Sequence, residues 1–233
     1  MRKQIIKFLF LLLAFGYAME AKSSHFTVDG IWYYYTNEDE VGVMYNKSGE
    51  YSGDVVIPST VTYNGKQYTV TKINTGAFLL DSALTAVTIP NSMTSIDSHA
   101  FHGCSNLKKV IWNARNAQYL HDKYIWSPFS ACDRLTDFIF GEEVEHIPDY
   151  LCYQLTSLKK LVIGNSVMTI GNWAFSSCTG LTEVTIPNSV TSIGNWAFKK
   201  CLCYVDKFYC IVPGRNPGSF LFFQHLMSTF VRH

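Results

Sequence analysis

The sequence predicts a solenoid, an array of stacked coils in which each coil adds one short strand to a parallel sheet. Similar segments recur every 23 residues along most of the chain. Apolar residues occupy the same positions in each segment, and one segment alone cannot bury them, so neighbouring coils must shelter one another's apolar edges. With 233 residues and 48% hydrophobic composition, the chain is large enough to form a sizeable core.

The repeat is clearest in two consecutive units. Leu158 begins LKKLVIGNSVMTIGNWAFSSCTG, and Leu181 begins LTEVTIPNSVTSIGNWAFKKCLC. Four further units fit the same frame and begin at Ser52, Leu84, Leu107 and Leu135. The unit from Ser52 has nine added residues, and the unit from Leu107 has five. About six repeats therefore occupy residues 52–203.

The aligned units assign a role to each position, counted from the opening leucine as offset zero. Apolar residues at offsets 0, 3 and 5 predict a short strand. Pro90 and Pro187 end this strand because proline has no N–H to donate to a sheet. Apolar residues at offsets 9 and 12 and an Ala-Phe pair at offsets 16 and 17 then lead into a turn, which gives a repeat of the β/α kind.

The N-terminal residues 1–21 have the features of a signal peptide. Arg2, Lys3 and Lys7 precede an apolar run over residues 8–15, and small residues follow. The run is shorter than the roughly 20 residues that a membrane-spanning helix needs. We therefore expect an exported protein with no membrane span in the mature chain.

The segments at either end of the array differ from the repeat. Residues 22–51 alternate β-branched and aromatic residues around the turn Asp29-Gly30, which predicts an N-terminal β cap. Within the first unit, Asn64-Gly65 predicts a β-hairpin that protrudes from the coil.

After the last repeat, the 23-residue frame is lost. Residues 204–233 are an irregular C-terminal segment or cap, and they can equally be the remains of a longer array.

The segment LTEVTIPNSVTSIGNWAFKKC resembles the repeat of the BspA-type leucine-rich-repeat family of bacterial secreted and surface proteins. The resemblance spans about two thirds of the chain. It implies a leucine-rich-repeat solenoid at the cell surface or outside the cell that binds host matrix proteins, host cells or other microbes. The unit from Leu135 departs from the pattern, because it lacks the Ala-Phe pair and the closing cysteine and has Leu151, Cys152 and Leu155 instead.

Charge and motifs argue against several other classes of function. The 19 basic and 18 acidic residues nearly balance, so no general positive field would attract nucleic acid. The sequence contains no metalloprotease, nucleophile-elbow or phosphate-loop motif. His99 and His102 occupy positions that are not histidine in the other units, which favours a solvated turn over a metal site. We expect no enzyme activity, no cofactor and no metal.

Seven cysteines in an exported protein suggest disulfides, but the repeat suggests another role. Four of them share the closing position of their units, where packing needs a small buried residue: Cys104, Cys132, Cys178 and Cys201. We therefore expect buried thiols. A local disulfide among Cys201, Cys203 and Cys210 is the alternative.

The outward residues of the predicted strands form the candidate ligand-binding face. Apolar residues recur at offset 4 with lysines beside them, a pattern typical of protein-binding surfaces. The candidates are Lys108, Lys109, Ile111, Asp137, Ile139, Lys159, Lys160, Val162 and Glu183. β-branched residues are also common on any strand surface, which is the alternative interpretation.

The five residues added to the Leu107 unit suggest a second set of contacts. Tyr119, Tyr124 and Trp126 lie in or near this addition, and aromatic residues in inserted loops often recognise ligands. The alternative is that these rings fill the wider coil.

The leading hypothesis is a non-catalytic adhesion module that binds an extracellular or cell-surface protein or glycan through its repeats. The first alternative is a structural spacer, or a truncated fragment of a longer surface array, with no ligand of its own. The second is an undetected hydrolase.

Overall fold

The computed structural model describes residues 24–46, 51–115, 117–120 and 127–201. Within these ranges the chain forms fifteen strands joined by turns, and no helix. The first eight strands are β1 (His25–Val28), β2 (Ile31–Tyr35), β3 (Glu40–Val43), β4 (Gly53–Val56), β5 (Thr60–Tyr63), β6 (Lys66–Ile73), β7 (Leu84–Ile89) and β8 (Ser95–Asp97). The others are β9 (Lys109–Trp112), β10 (Gln118–Leu120), β11 (Asp137–Phe140), β12 (His146–Ile147), β13 (Lys160–Val162), β14 (Thr169–Ile170) and β15 (Ser192–Ile193).

The predicted parallel sheet is present, and it has the order β13-β11-β9-β7-β4. Equivalent offsets of successive units lie side by side, as Val87, Val110, Phe138 and Leu161 show. Residues at offsets 0, 3 and 5 are buried in every unit from Leu84 onward. The predicted solenoid is therefore confirmed, with its core between the strands and the turns.

A second set of short strands was not predicted from the sequence. The strands β8, β10, β12, β14 and β15 all begin at offset 11 of their units. They pair in parallel: β8 pairs with β10 in one sheet, and in another sheet β14 lies between β12 and β15 and pairs with both. Most coils therefore contribute two strands, whereas the repeat pattern predicts one.

Both predicted hairpin turns form. Asp29 and Gly30 have φ values of 49° and 78° between β1 and β2, and Asn64 and Gly65 have φ values of 50° and 75° between β5 and β6. These left-handed conformations suit a two-residue hairpin turn. The second hairpin does not protrude freely, however, because β6 pairs in parallel with β3 on one side and with β8 on the other.

The N-terminal strands β1, β2 and β3 form an antiparallel meander at the edge of this sheet. Tyr51 connects the meander to the first coil. Its hydroxyl donates to the carbonyl oxygen of Met44 at 2.6 Å and accepts from the backbone N–H of Trp32 at 3.2 Å. Its ring packs against Phe78, with the centroids 4.5 Å apart. That this segment acts as a cap stays a prediction.

The turns take the place of the helical part expected of a β/α repeat. The phenylalanines at offset 17 stack face to face, with Phe101 lying 4.7 Å from Phe78 and 4.9 Å from Phe129. Residues at offsets 15 and 19 have positive φ, such as Trp173 (56°) and Ser177 (62°). Left-handed residues interrupt a right-handed helix, so these turns stay non-helical.

The closing cysteines link each coil to the coil before it. Each thiol donates to the carbonyl oxygen at offset 17 of the preceding unit, at 2.9 Å for Cys104, 3.1 Å for Cys132, 3.0 Å for Cys178 and 3.2 Å for Cys201. The first three thiols are buried, as predicted, and the last is half-buried. Cys203 and Cys210, which the alternative disulfide involves, lie outside the described residues.

Candidate ligand-binding face

The outward residues of the five-stranded sheet form two parallel rows. The first is the apolar row, which consists of Ile111, Ile139 and Val162 at offset 4 of three consecutive units. The second is the charged row, which consists of Lys109, Asp137 and Lys160 at offset 2 of the same units. Offsets 2 and 4 lie on the same face because side chains alternate along a strand.

The register of the sheet places the apolar row in a straight line. Ile111 lies directly opposite Ile139, and Ile139 lies opposite Val162. The two isoleucines are half-buried, and Val162 is 38% exposed. Thr88 separates this row from Val56, which is 65% exposed at the N-terminal end of the sheet. The row is therefore a continuous and partly exposed apolar strip.

The charged row runs beside this strip. Lys109 lies opposite Asp137, which lies opposite Lys160. Within the described part of the chain, neither lysine forms an ion pair, and Asp137 accepts a hydrogen bond from the Thr136 hydroxyl at 2.6 Å. Both ammonium groups are exposed, so they are available to an acidic partner.

Glu183 does not join the sheet as expected. The sequence frame places it next to Lys160, and its unit keeps Leu181, Val184 and Ile186 buried. The structure nevertheless assigns no strand to this segment, and the sheet ends at β13. Glu183 is exposed beyond β13, and Lys108 and Lys159 directly precede β9 and β13, so the sheet itself supports the other six candidates.

A shallow groove borders the face at the N-terminal ends of the strands, with a volume of about 410 Å³. We call it the basic groove, and its lining residues are Lys108, Asp133, Arg134, Thr136, Ser157 and Lys159. The repeat pattern predicts the two lysines as outward-facing residues but does not predict Asp133, Arg134 or Ser157. These three precede the opening leucines of their units, where no strand pattern marks them as outward-facing.

Of the three proposed loop contacts, Tyr119 lies in β10, in register with the buried Ile96 of β8. Tyr124 and Trp126 lie outside the described residues. Trp112, at the start of the enlarged coil, is fully buried and donates its indole N–H to the carbonyl oxygen of Ala114 at 3.2 Å. Trp112 is therefore a core residue.

Burial shifts the pKa values of a histidine and a cysteine among the described residues. Burial, with His99 nearby, lowers the pKa of His102, whose Nδ1 lies 2.8 Å from the Ser130 hydroxyl. Burial raises the pKa of the Cys152 thiol well above its usual value, which disfavours the nucleophilic thiolate. Across the described ranges, no three His, Cys, Asp or Glu side chains are placed to hold a metal ion. The same ranges contain no helix of the length and apolarity needed to cross a membrane.

Several solved bacterial structures are similar to this chain. A leucine-rich repeat protein from Eubacterium ventriosum matches with 21% identity and a TM-score of 0.56, over 84% of this chain and 54% of that one. The pneumococcal vaccine antigen PcpA matches with 21% identity and a TM-score of 0.50, over 76% of this chain and 48% of that one. A leucine rich cell surface protein from Faecalibacterium prausnitzii matches with 26% identity and a TM-score of 0.45, over 76% of this chain and 52% of that one.

The chain thus spans about half the length of each of these three structures. Two of them support the solenoid fold, through TM-scores of 0.50 and 0.56. No curated protein matches the chain significantly. The family comparison is more specific, because six copies of the BspA type leucine rich repeat region match residues 71–205. This match covers more than half of the chain, and the protein therefore belongs to the BspA-type leucine-rich-repeat family.

Proposed function

We propose that this protein is a non-catalytic, exported interaction module that binds an extracellular protein through the apolar row and the charged row of its strand face. The observation that carries the proposal is the direct register of Ile111, Ile139 and Val162 on three neighbouring strands. An apolar strip with charged groups along one side has the composition of a protein-binding patch.

The geometry supports recognition of a protein for two reasons. The strip is formed by a rigid sheet, so a partner does not need to order it on binding, which lowers the entropy cost of association. Lys109 and Lys160 carry exposed positive charges beside it, and they would steer an acidic partner into one orientation. Removal of apolar side chains from water supplies the affinity, and the charges supply orientation.

Export is part of the same proposal. The basic and apolar segment over residues 1–21 is the feature that supports it, and this segment lies outside the described residues. One similar structure carries the name of a leucine rich cell surface protein. N-terminal sequencing of the protein recovered from culture medium would test export, and we expect cleavage after Ala18 or Ala21.

Binding is tested with the purified protein on a panel of immobilised extracellular-matrix proteins. Ile139→Asp should weaken capture by at least about tenfold, because it places a charge in the middle of the apolar row. Lys109→Glu should mainly slow association and reduce its dependence on salt.

Matched changes outside the face serve as controls. Met168→Asp alters an apolar residue that is 40% exposed in the turn after β13, and Lys200→Glu reverses an exposed charge in the last described turn. Both should leave capture unchanged. If no panel protein is captured by folded wild-type protein, or if Ile139→Asp and Met168→Asp behave alike, the proposal is wrong and the protein acts as a spacer.

A further inference from the structure

The basic groove contains three cationic side chains. Lys108 and Lys159 have the same offset in units that are two strands apart, so roughly 10 Å separates their backbones. Arg134 approaches from the turn before β11, and its Nη1 donates to the Asn106 side-chain oxygen at 2.7 Å. The guanidinium is thereby held in place while its other N–H groups stay available to a ligand.

The charges around the groove favour an anion. Among the described residues, Lys108, Lys159 and Arg134 form no ion pair with a carboxylate. The adjacent Lys109 and Lys160 extend the positive potential on to the charged row. The carboxylates nearby are Asp133 in the groove, Asp137 in the charged row and Glu183 beyond β13, which leaves an excess of positive charge.

The lining distinguishes between kinds of anionic ligand. All six lining side chains are charged or carry a hydroxyl, so the groove offers both ionic and hydrogen-bonding groups to a ligand. Sugar rings present hydroxyl groups that can hydrogen-bond to such a lining. The cations also recur along the array axis, as anionic groups recur along a linear polymer.

We propose that the basic groove binds a sulfated polysaccharide, with Lys108, Arg134 and Lys159 contacting sulfate groups along one chain. Asp133 accepts hydrogen bonds from sugar hydroxyls, a role that explains a carboxylate within a cationic site. This inference extends the proposed function, because it places a second class of ligand beside the protein-binding rows and assigns different residues to it.

The experiment measures binding of the purified protein to immobilised heparin at physiological ionic strength, about 150 mM salt. Lys159→Glu should weaken binding by about tenfold, because it replaces an attraction with a repulsion. Lys200→Glu changes the net charge equally outside the groove and should change affinity by less than about twofold. Equal losses in the two variants would overturn the proposal, since they would indicate attraction to net charge alone.

Asp133→Asn separates sugar recognition from general attraction to anions. Inorganic polyphosphate has no sugar hydroxyls, so removal of the Asp133 charge should strengthen polyphosphate binding and leave heparin binding unchanged or weaker. If the variant binds both polymers more tightly to the same extent, the groove is only a positive surface and the proposal fails.

Two further measurements identify the ligand class and separate the two proposals. Polyglutamate should compete poorly with heparin at equal charge concentration, and equally effective competition would assign the groove to acidic proteins instead. Ile139→Asp, which disrupts the apolar row, should leave heparin binding intact. If folded wild-type protein captures a matrix protein but not heparin, this inference alone is overturned.

Discussion

The thiol of Cys104 donates a hydrogen bond to the carbonyl oxygen of Phe78, 2.9 Å away in the preceding coil. This contact explains why cysteine recurs at offset 20. The position must be small and apolar enough for the core, yet it must also satisfy a buried carbonyl oxygen from the preceding coil, and a thiol does both. In the unit from Leu135, the buried Leu155 fills the position without donating a bond.

Cys132→Ala tests the contribution of this contact to stability. The variant removes the bond to the Phe101 carbonyl oxygen and leaves a small void, so we expect the free energy of unfolding to fall by about 1–2 kcal/mol. Cys132→Ser keeps a donor and should lose less. Chemical denaturation measures both changes, and an alanine variant as stable as wild type would show that the bond contributes nothing.

Tyr51 should make the protein sensitive to alkali. Burial, reinforced by Asp81 and opposed by the hydrogen bond from Trp32, raises the pKa of Tyr51 to about 12, from 10.0 in the unfolded chain. The folded state then holds its proton over a pH range in which the unfolded state releases it. The contribution of the Tyr51 hydroxyl to the free energy of unfolding is therefore fully present below pH 10 and is lost between pH 10 and about 12.

Thermal melts across this pH range compare wild type with Tyr51→Phe. The variant should be less stable at neutral pH by about 1–2 kcal/mol, because the Met44 carbonyl oxygen loses its donor, and its melting temperature should decline less steeply above pH 10. If the melting temperatures of the two proteins decline in parallel above pH 10, the raised pKa of Tyr51 is not the cause of the alkali sensitivity.

Gly171 permits the close approach of two coils. A Cβ atom at this position would lie 2.5 Å from the backbone nitrogen of Asp149 in the preceding coil, and backbone cannot move aside easily. Gly171→Ala should therefore destabilise the protein by about 1–3 kcal/mol. Asn165→Ala, at an exposed turn residue, is the control and should have little effect. The denaturation midpoints of the two variants measure this difference in stability, and equal midpoints would contradict a backbone clash at Gly171.

Ser177 is a site where glycine should stabilise the fold. Its φ of 62° is left-handed, which costs a residue with a Cβ about 1–2 kcal/mol. Ser177→Gly removes this strain but adds entropy to the unfolded chain, so we expect a net gain of about 0.5–1 kcal/mol in calorimetry. Asn165→Gly, at a turn residue without a positive φ, should be destabilising, and equal effects would rule out strain as the cause.

The parallel sheet could be predicted because its residues repeat a strong pattern. Leu84, Val87 and Ile89 alternate with outward residues, and the same alternation returns in later units, so both the strand and its register follow. The strands at offset 11 could not be predicted in the same way. His146–Ile147 contains one inward residue, which is too short for a period of two to be visible.

The candidate face also contains some residues that the repeat predicts and others that it does not. The apolar row follows directly from the repeat, because Ile111 and Ile139 share an offset within a predicted strand. Arg134 and Asp133 precede that strand in a turn, and only the folded chain brings them next to Lys108 and Lys159. The absence of a strand around Glu183 was also not visible, since its unit carries one of the clearest copies of the repeat.

The pairing of each coil with its immediate neighbours has a mechanical consequence. In the described ranges, the backbone bonds between coils follow the array axis, so a pulling force along this axis would load them in series from the end coil inward. Coils should then detach one at a time, each releasing the 23 or more residues of its unit as slack. A protein anchored under fluid flow would lengthen in steps and absorb the load before its attachment failed.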